Sequence, residues 1–435
     1  MHGVKPSRWT MAYFGVALIS LLAAEAAIAG GALSGVGGVS GPVALATVHL
    51  VTLGWLTTLM LGALQQFAPV IAMRTLDSQA AALVALILIV AGLAAMEDGF
   101  LQMGGGAASW LLPAGGAVAV AGLVTAATNV ALTLLKARPL PFHARFVAAG
   151  LAFLALTMLL GLTFAFADAG SGTPLADRLV AFGLPIHMAV GIGGWLTLTA
   201  MGVSYKLLAM FTLSPEERGR PGEATLWLSA GGLGLAIVTS LVAVLAGWQG
   251  GTADALEVVG GLAAATGVGV FLWDMRRLYR ARKRRQLELS ASCGVLALVG
   301  FGVAAALSLA AFLHPAFPLV KGAAAGMLFL WLGGLGLTQL YKIVPFLTWI
   351  ERFGPRLGQG PVPRVQDLVA ERRTRPFFLL YFAAAAALVT GVATTAAPLA
   401  EGAAAFMFVA TAGIAMELAR VRFGQPAAKD LDRSA

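Results

Sequence analysis

Polar residues along this chain come in short bursts, and between the bursts lie long, almost uninterrupted apolar runs. Runs of spanning length occur at 9–31, 43–71, 79–96, 110–135, 145–167, 178–212, 225–248, 254–275, 290–313, 317–348, 376–396 and 398–420, twelve in all. They approach or exceed the roughly 20 apolar residues that carry a helix across a bilayer. They are rich in Leu, Ala and Gly and lack the short period-two alternation of barrel strands. A backbone in hydrocarbon must satisfy its own N–H and C=O groups, so the pattern predicts an all-α polytopic membrane protein with twelve transmembrane helices. The first run follows a basic start and precedes small residues, as a cleavable leader would. Its length favours a spanning helix instead.

Charge placement tests that count. Of 435 residues, 59% are hydrophobic and 11% charged, against about 25% charged in soluble domains. With the N-terminus cytoplasmic, 27 of the 29 Lys and Arg fall on the cytoplasmic ends and loops, and only Arg178 and Lys321 fall on the other side. That asymmetry is the positive-inside pattern and puts both termini in the cytoplasm, in what reads as a bacterial inner membrane. The formal charge of +9 is concentrated there, most visibly in "RRLYRARKRR" (276–285) and "ERRTR" (371–375). It serves topology and contact with membrane lipids, not nucleic acid. Cys293 is the only cysteine, which excludes an internal disulfide and any CxxC metal or redox pair. The longest cytoplasmic loop, 349–375, is too short for a domain. Its Gly and Pro break a continuous helix, and "VQDLVAERR" predicts a short surface helix. A cytoplasmic tail follows at 423–435.

Three of the runs align without gaps on a tryptophan: "WLTTLMLGALQQFAP" from Trp55, "WLTLTAMGVSYKLLA" from Trp195 and "WLGGLGLTQLYKIVP" from Trp331. Gly62 matches Gly202, Tyr205-Lys206 matches Tyr341-Lys342, and Pro69 matches Pro345. The offsets are 140 and 136 residues, and each interval holds four of the twelve runs. The chain therefore reads as one transmembrane domain of three pseudo-symmetric four-helix repeats, about 9–140, 145–285 and 290–422. The marked helices are the second, sixth and tenth.

With "HLVTLGW" on the second helix and "PIHMAVGIGGW" on the sixth, this twelve-helix, three-unit pattern resembles subunit I of the heme-copper oxidase superfamily. That group includes cytochrome oxidases, the cbb3-type catalytic subunit and nitric oxide reductases. The resemblance covers most of the chain in helix count, but only these two stretches in motif. It implies a low-spin heme ligand at His49 and a copper ligand at His187. The departures are large. The tenth helix, "FPLVKGAAAGMLFLWLGGLGLTQLYKIVPF", has no histidine where the family carries a pair. The seventh, "ATLWLSAGGLGLAIVTSLVAVLAGW", lacks the family's further copper-binding pair. The chain holds five histidines, and His2 and His143 lie in cytoplasmic segments. Three remain for a site that needs six, which rules out an oxygen-reducing heme-copper centre. The resemblance then points to a degenerate or repurposed relative, comparable to the NnrS-type proteins linked to nitric oxide stress.

Topology alone leaves several chemistries open. His49 and His187 lie roughly 9 to 14 Å below the outer ends of their helices, and His314 sits at the outer terminus of the ninth. If the second and sixth helices face one another, His49 and His187 can hold one b-type heme as axial ligands. Alternatively His49, His187 and His314, with Met188 beside them in sequence, form a copper site. A membrane histidine can also simply bond a neighbouring helix, and an interfacial turn in "LHPAF" accounts for His314. Glu25, in the outer half of the first helix, needs a partner or a proton-transfer role. Lys321 either snorkels to the surface, pairs with Glu25 or Glu257, or attracts an anionic substrate or a heme propionate. Gln65, Gln66, Tyr205, Lys206, Tyr341 and Lys342 line an inner vestibule or anchor the helices at the interface. His143, in "KARPLPFHAR", reads as a solvated surface residue. The leading expectation is a heme b or copper protein with a redox, nitric-oxide-related or sensing role. A cofactor-free transporter or channel, and a structural or assembly subunit associated with other respiratory membrane subunits, are the alternatives.

Overall fold

The computed structural model describes residues 7–34, 41–103, 110–137, 139–171, 173–215, 219–248, 250–284 and 286–424. His2 and residues 425–435 of the expected tail lie outside the described residues. Twelve helices are long and apolar enough to cross a membrane, and the described residues contain no strand. The first four are α1 (Thr10–Ala29), α2 (Pro42–Ala72), α3 (Gln79–Leu101) and α4 (Leu111–Leu135). The next four are α5 (Phe142–Gly170), α6 (Leu184–Thr212), α7 (Arg220–Ala246) and α8 (Gly251–Arg280). The last are α9 (Leu289–Leu313), α10 (Pro318–Arg356), α11 (Glu371–Ala393) and α12 (Ala397–Phe423). Successive helices alternate in direction, so the start of α1 and the end of α12 share one end of the bundle, here the terminal end. The opposite end is the distal end.

Several boundaries differ from those the hydropathy pattern predicts. The sixth run breaks at Gly183: a short helix, Pro174–Phe182, precedes it, and α6 begins at Leu184. Pro185 in the first turn of α6 explains the break, because proline disfavours helical backbone in the residue before it and donates no N–H. His187 is therefore nearer the distal end than its place in the run implied. At the terminal end α10 runs on past its apolar stretch, leaving a loop of 357–370 in place of 349–375. The surface helix expected in "VQDLVAERR" shrinks to one 3₁₀ turn, Val365–Leu368, and Glu371 already opens α11. The Arg364 side chain bonded to Asp367 pins that turn and holds the Asp367 carboxyl below the usual carboxylate range.

Helix pairs close on glycine. On α3 and α4, a Cβ added to Gly92 would lie 2.3 Å from the Ala119 nitrogen, and one on Gly99 would lie 2.6 Å from the Leu112 nitrogen. The same contact recurs between α7 and α8 (Gly232 on Ala264, Gly260 on Ala236) and between α11 and α12 (Gly391 on Ala400). Without a hydrophobic driving force between helices in lipid, such backbone approach is what dispersion packing uses. The bundle closes on itself through α4 against α5, α8 against α9, and α12 against α1.

Helices α2, α6 and α10 occupy the centre; their apolar windows are 56%, 61% and 67% buried, more than any other span. Each contains a π-helical stretch that includes its tryptophan: Leu50–Thr57, Ala189–Thr197 and Gly326–Gly333. These stretches pack on one another, and Trp55, Trp195 and Trp331 are buried. The Trp195 indole N–H donates to the Thr57 hydroxyl at 3.1 Å, while Trp331 stacks on Phe301 of α9 at 4.3 Å. The residue before each tryptophan crosses a preceding helix with alternating bulk. Gly54 meets Ser20 of α1, Gly194 meets Phe153 of α5, and Leu330 meets Gly300 of α9.

The glycine contacts generate a paired prediction. Gly92→Leu has to push α4 away and should cost about 1–3 kcal/mol, read as an earlier thermal unfolding of the detergent-solubilised protein. Gly15→Leu, where an added Cβ meets nothing within 4 Å, should leave the transition in place.

Candidate functional site

His49 sits on α2 immediately before its π-helical stretch. Its Nδ1 lies 2.8 Å from the carbonyl of Leu45, one turn back. A carbonyl can only accept, so Nδ1 carries the proton and donates, which leaves Nε2 with a free lone pair. The ring stacks on Phe100 of α3 with centroids 4.7 Å apart and planes tilted by 28°. Stacking and hydrogen bond together fix the imidazole plane, the kind of orientation that metal-ligating histidines receive from an outer partner.

His187 lies three residues inside the distal start of α6, just before that helix's own π-helical stretch. Its ring meets Phe164 of α5 edge-on at 5.5 Å. Gly161 of α5 lies directly beneath it, where an added Cβ would be 3.2 Å from the imidazole Cε1. Its Nδ1 is buried and has no hydrogen-bond partner. A buried polar nitrogen left unpaired costs about 1–3 kcal/mol, so this atom calls for a ligand or a water.

The distal part of α5 lies between the surroundings of the two rings. Leu160 belongs to the apolar cluster around Ile186 and Val190, beside His187, and Ala165 to the cluster around Ala46, Phe100 and Leu112, beside His49. His314 belongs to neither. It is exposed at the C-terminal cap of α9, and among the described residues no group of three or more His, Cys, Asp or Glu converges as a metal site. The three-histidine copper arrangement is thus not assembled, because the short turn after α9 leaves His314 at the rim while the other two rings point into the bundle.

The other expected residues disperse. Glu25 is buried between α1 and α12 and receives a hydrogen bond from the Thr411 hydroxyl at 2.9 Å. Lys321 and Glu257 are half-buried near the distal starts of α10 and α8. His143 is half-buried at the start of α5, where its carbonyl abuts Gly202 of α6. Glu97, which hydropathy left just beyond the third run, is half-buried three residues before Phe100 with a buried, unbonded Oε1. The signal for it was an acidic residue directly abutting an apolar run.

At the terminal end the structure revises the vestibule-or-anchor reading. Ten residues after each tryptophan comes Gln65, Tyr205 or Tyr341, each at most 3% exposed. Near these lie polar residues of α4, α8 and α12, each six positions before its helix ends: Asn129, Asp274 and Glu417. Asn129 Nδ2 donates to Gln65 Oε1 at 3.2 Å and to the Ser78 carbonyl at 2.9 Å, tying α2, α3 and α4 together. The Tyr205 hydroxyl donates to Asp274 Oδ2 at 2.8 Å and lies 3.1 Å from the Thr225 hydroxyl of α7. Tyr341 has Thr374 and Glu417 near it without bonding either. Glu417 instead accepts the Ala370 N–H at 2.9 Å and faces Arg373 and Arg420. Tyr341 and Lys342 do line one small cavity there, with Glu288, Ser290 and Glu371. The sequence signal for these contacts was present in the Asp-Met-Arg-Arg and Glu-Leu-Ala-Arg endings of α8 and α12, which read only as topology.

No family model matches the sequence, and no curated protein matches it.

Tyr205→Phe would leave the Asp274 carboxylate short of a donor inside the bundle. A loss of about 1–3 kcal/mol is expected, measured by thermal or denaturant unfolding in detergent. Tyr341→Phe removes a hydroxyl that bonds nothing and should cost clearly less.

Proposed function

We propose that this chain is a bacterial inner-membrane redox protein that resembles a degenerate heme-copper oxidase subunit I and holds one b-type heme near its distal end, between His49 and His187. The observation that carries the reading is the pair itself. Two imidazoles from two central helices stand near the distal part of α5, one with its Nδ1 already bonded so that Nε2 is bare, the other with a buried nitrogen that no protein group satisfies. The donor set fits heme better than copper. Bis-imidazole ligation is a common heme arrangement, whereas copper sites of this kind draw on three or more side chains, and among the described residues no group of three or more His, Cys, Asp or Glu converges.

Several features support the resemblance. The matched tryptophans, the π-helical stretches around them and the polar residues six positions before a helix end all recur at equivalent places, as three four-helix units would require. The cation asymmetry supports cytoplasmic termini, which would put His49 and His187 toward the outer face. The many exposed apolar side chains, such as Ile19, Leu159, Trp227 and Val299, suit a lipid-facing surface or contact with another respiratory membrane subunit.

In this reading the bound heme supplies a one-electron couple. The chain's own residues do the rest. Leu45 and Phe100 orient the His49 ring, Gly161 gives the His187 ring its room, and the apolar wall of Phe164, Leu160 and Ile186 excludes water. A heme held by His49 and His187 would supply electron transfer or redox sensing, not oxygen reduction.

The test is an absorption spectrum with metal analysis. Protein purified from heme-replete cells should show a Soret band and stoichiometric iron, and His49→Ala or His187→Ala should abolish both while His314→Ala leaves them intact. A folded, heme-free and iron-free wild type overturns the proposal, and substrate-dependent flux in liposomes from such a preparation would favour a transporter.

A further inference from the structure

One strip of α8 is turned away from the bundle and changes character along its length. The apolar window of α8 is 17% buried, less than that of any other span. Leu262, Thr266, Gly269, Trp273, Arg276 and Arg280 are all exposed, and their alternating spacings of three and four residues put them on one helix face. Thr266 returns its hydroxyl to the Leu262 carbonyl, so the strip is apolar as far as Trp273 and cationic beyond it. Leu262 to Trp273 spans roughly 16 Å, about one leaflet of a hydrocarbon core roughly 30 Å thick.

Two features give this strip more shape than a plain lipid-facing surface. Gly269 leaves a notch, since a Cβ added there meets nothing within 4 Å. Helix α9 runs alongside, with Gly302 against Leu272 and the Tyr279 hydroxyl donating to the Ala291 carbonyl at 2.9 Å. That register sets the exposed Val299 and Val303 level with Gly269 and Trp273. At the polar end, the Arg276 guanidinium lies over the Trp273 ring, 5.8 Å from its centroid, which holds the charge beside the last apolar side chain.

The cations of this strip also lack acids. Much of the positive charge at the terminal end is answered inside the protein: Lys136 pairs with Asp77, Arg145 with Glu223, Arg422 with Glu351, and both Arg284 and Lys342 with Glu288. Among the described residues no carboxylate pairs with Arg276, Arg280 or Lys283. Asp274, the acid of this segment, is buried, accepts from Tyr205 and stands 3.9 Å from Arg277.

We propose that this face of α8 and α9 binds one anionic phospholipid. The phosphodiester accepts from the Arg276 and Arg280 guanidiniums, whose planar forks match phosphate oxygens. An acyl chain lies over Gly269 toward Leu262, beside Val299 and Val303, and Trp273 sits at the depth of the glycerol, where membrane tryptophans collect. Lys283, just beyond the helix end, adds charge that disfavours a headgroup carrying its own ammonium. An apolar strip that runs straight into the cations favours a lipid over an acidic protein segment, which would use the charge alone. The site lies at the opposite end of the bundle from His49 and His187 and needs no heme, so it stands or falls separately from the reading above.

The experiment is native mass spectrometry of the full chain, delipidated in detergent and titrated with phosphatidylglycerol or with phosphatidylcholine of the same acyl chains. Phosphatidylglycerol should bind about tenfold or more tightly, and Arg276→Gln combined with Arg280→Gln should bring it down to the phosphatidylcholine level. Arg372→Gln, which removes an exposed cation of α11, should change nothing. Gly269→Leu fills the notch and should weaken phosphatidylglycerol binding about threefold or more with every charge intact. Glycerol phosphate, which has the phosphate without the chains, should not compete. Equal affinity for the two lipids overturns the proposal, as does wild-type affinity in the arginine double variant. So does full competition by glycerol phosphate or by a polyglutamate peptide. If the double variant fails to fold, an unchanged affinity in Gly269→Leu overturns it.

Discussion

Inside a membrane, a polar group cannot turn to water and must be answered by another part of the protein, and that constraint organises this bundle. Helix backbones answer themselves, and many hydroxyls bond a carbonyl one turn back on their own helix, but a side chain met from a neighbouring helix also helps determine which helices lie side by side. Asn129 joins α2, α3 and α4 through one amide. Tyr205 joins α6, α7 and α8 through one hydroxyl. Glu417 draws in the backbone of the loop before α11. The glycine contacts bring helices within backbone distance, and the polar pairs choose the partner.

The same constraint makes the exceptions informative. Where a buried polar atom is left without a partner, as at His187 Nδ1 and Glu25 Oε2, the protein tolerates a cost that packing alone would have removed. One lies on α6, a central helix, two residues before its π-helical stretch, and the other on α1, facing α12.

Much of the architecture was legible in the residues. Hydropathy gave all twelve spans because length and apolarity are one-dimensional properties, and the alignment on Trp55, Trp195 and Trp331 picked out the three helices that turn out most buried. Boundaries were less legible where a local rule overrode the apolar count, as at Pro185, or where a polar sequence continued a helix, as beyond Trp349. The site was half legible. His49 and His187 stood out as rare polar rings in apolar runs, yet the surroundings of both depend on α5, whose Gly161 and Ala165 look like any other small residues in a membrane helix. The polar pairs at the terminal end escaped notice because Asp274 and Glu417 stand in front of arginines, and in sequence a buried acid beside a cation looks the same as a surface ion pair.

The π-helical stretches have a mechanical consequence. A turn closed by i→i+5 bonds holds more residues than an α-turn, so it behaves like a dislocation in a crystal: it can migrate by exchanging one hydrogen bond at a time, and no long segment has to melt. As it migrates, the part of the helix on one side twists relative to the other, so side chains at the distal end can be re-aimed while the terminal end stays anchored. Three such defects lie side by side in α2, α6 and α10, packed directly against one another.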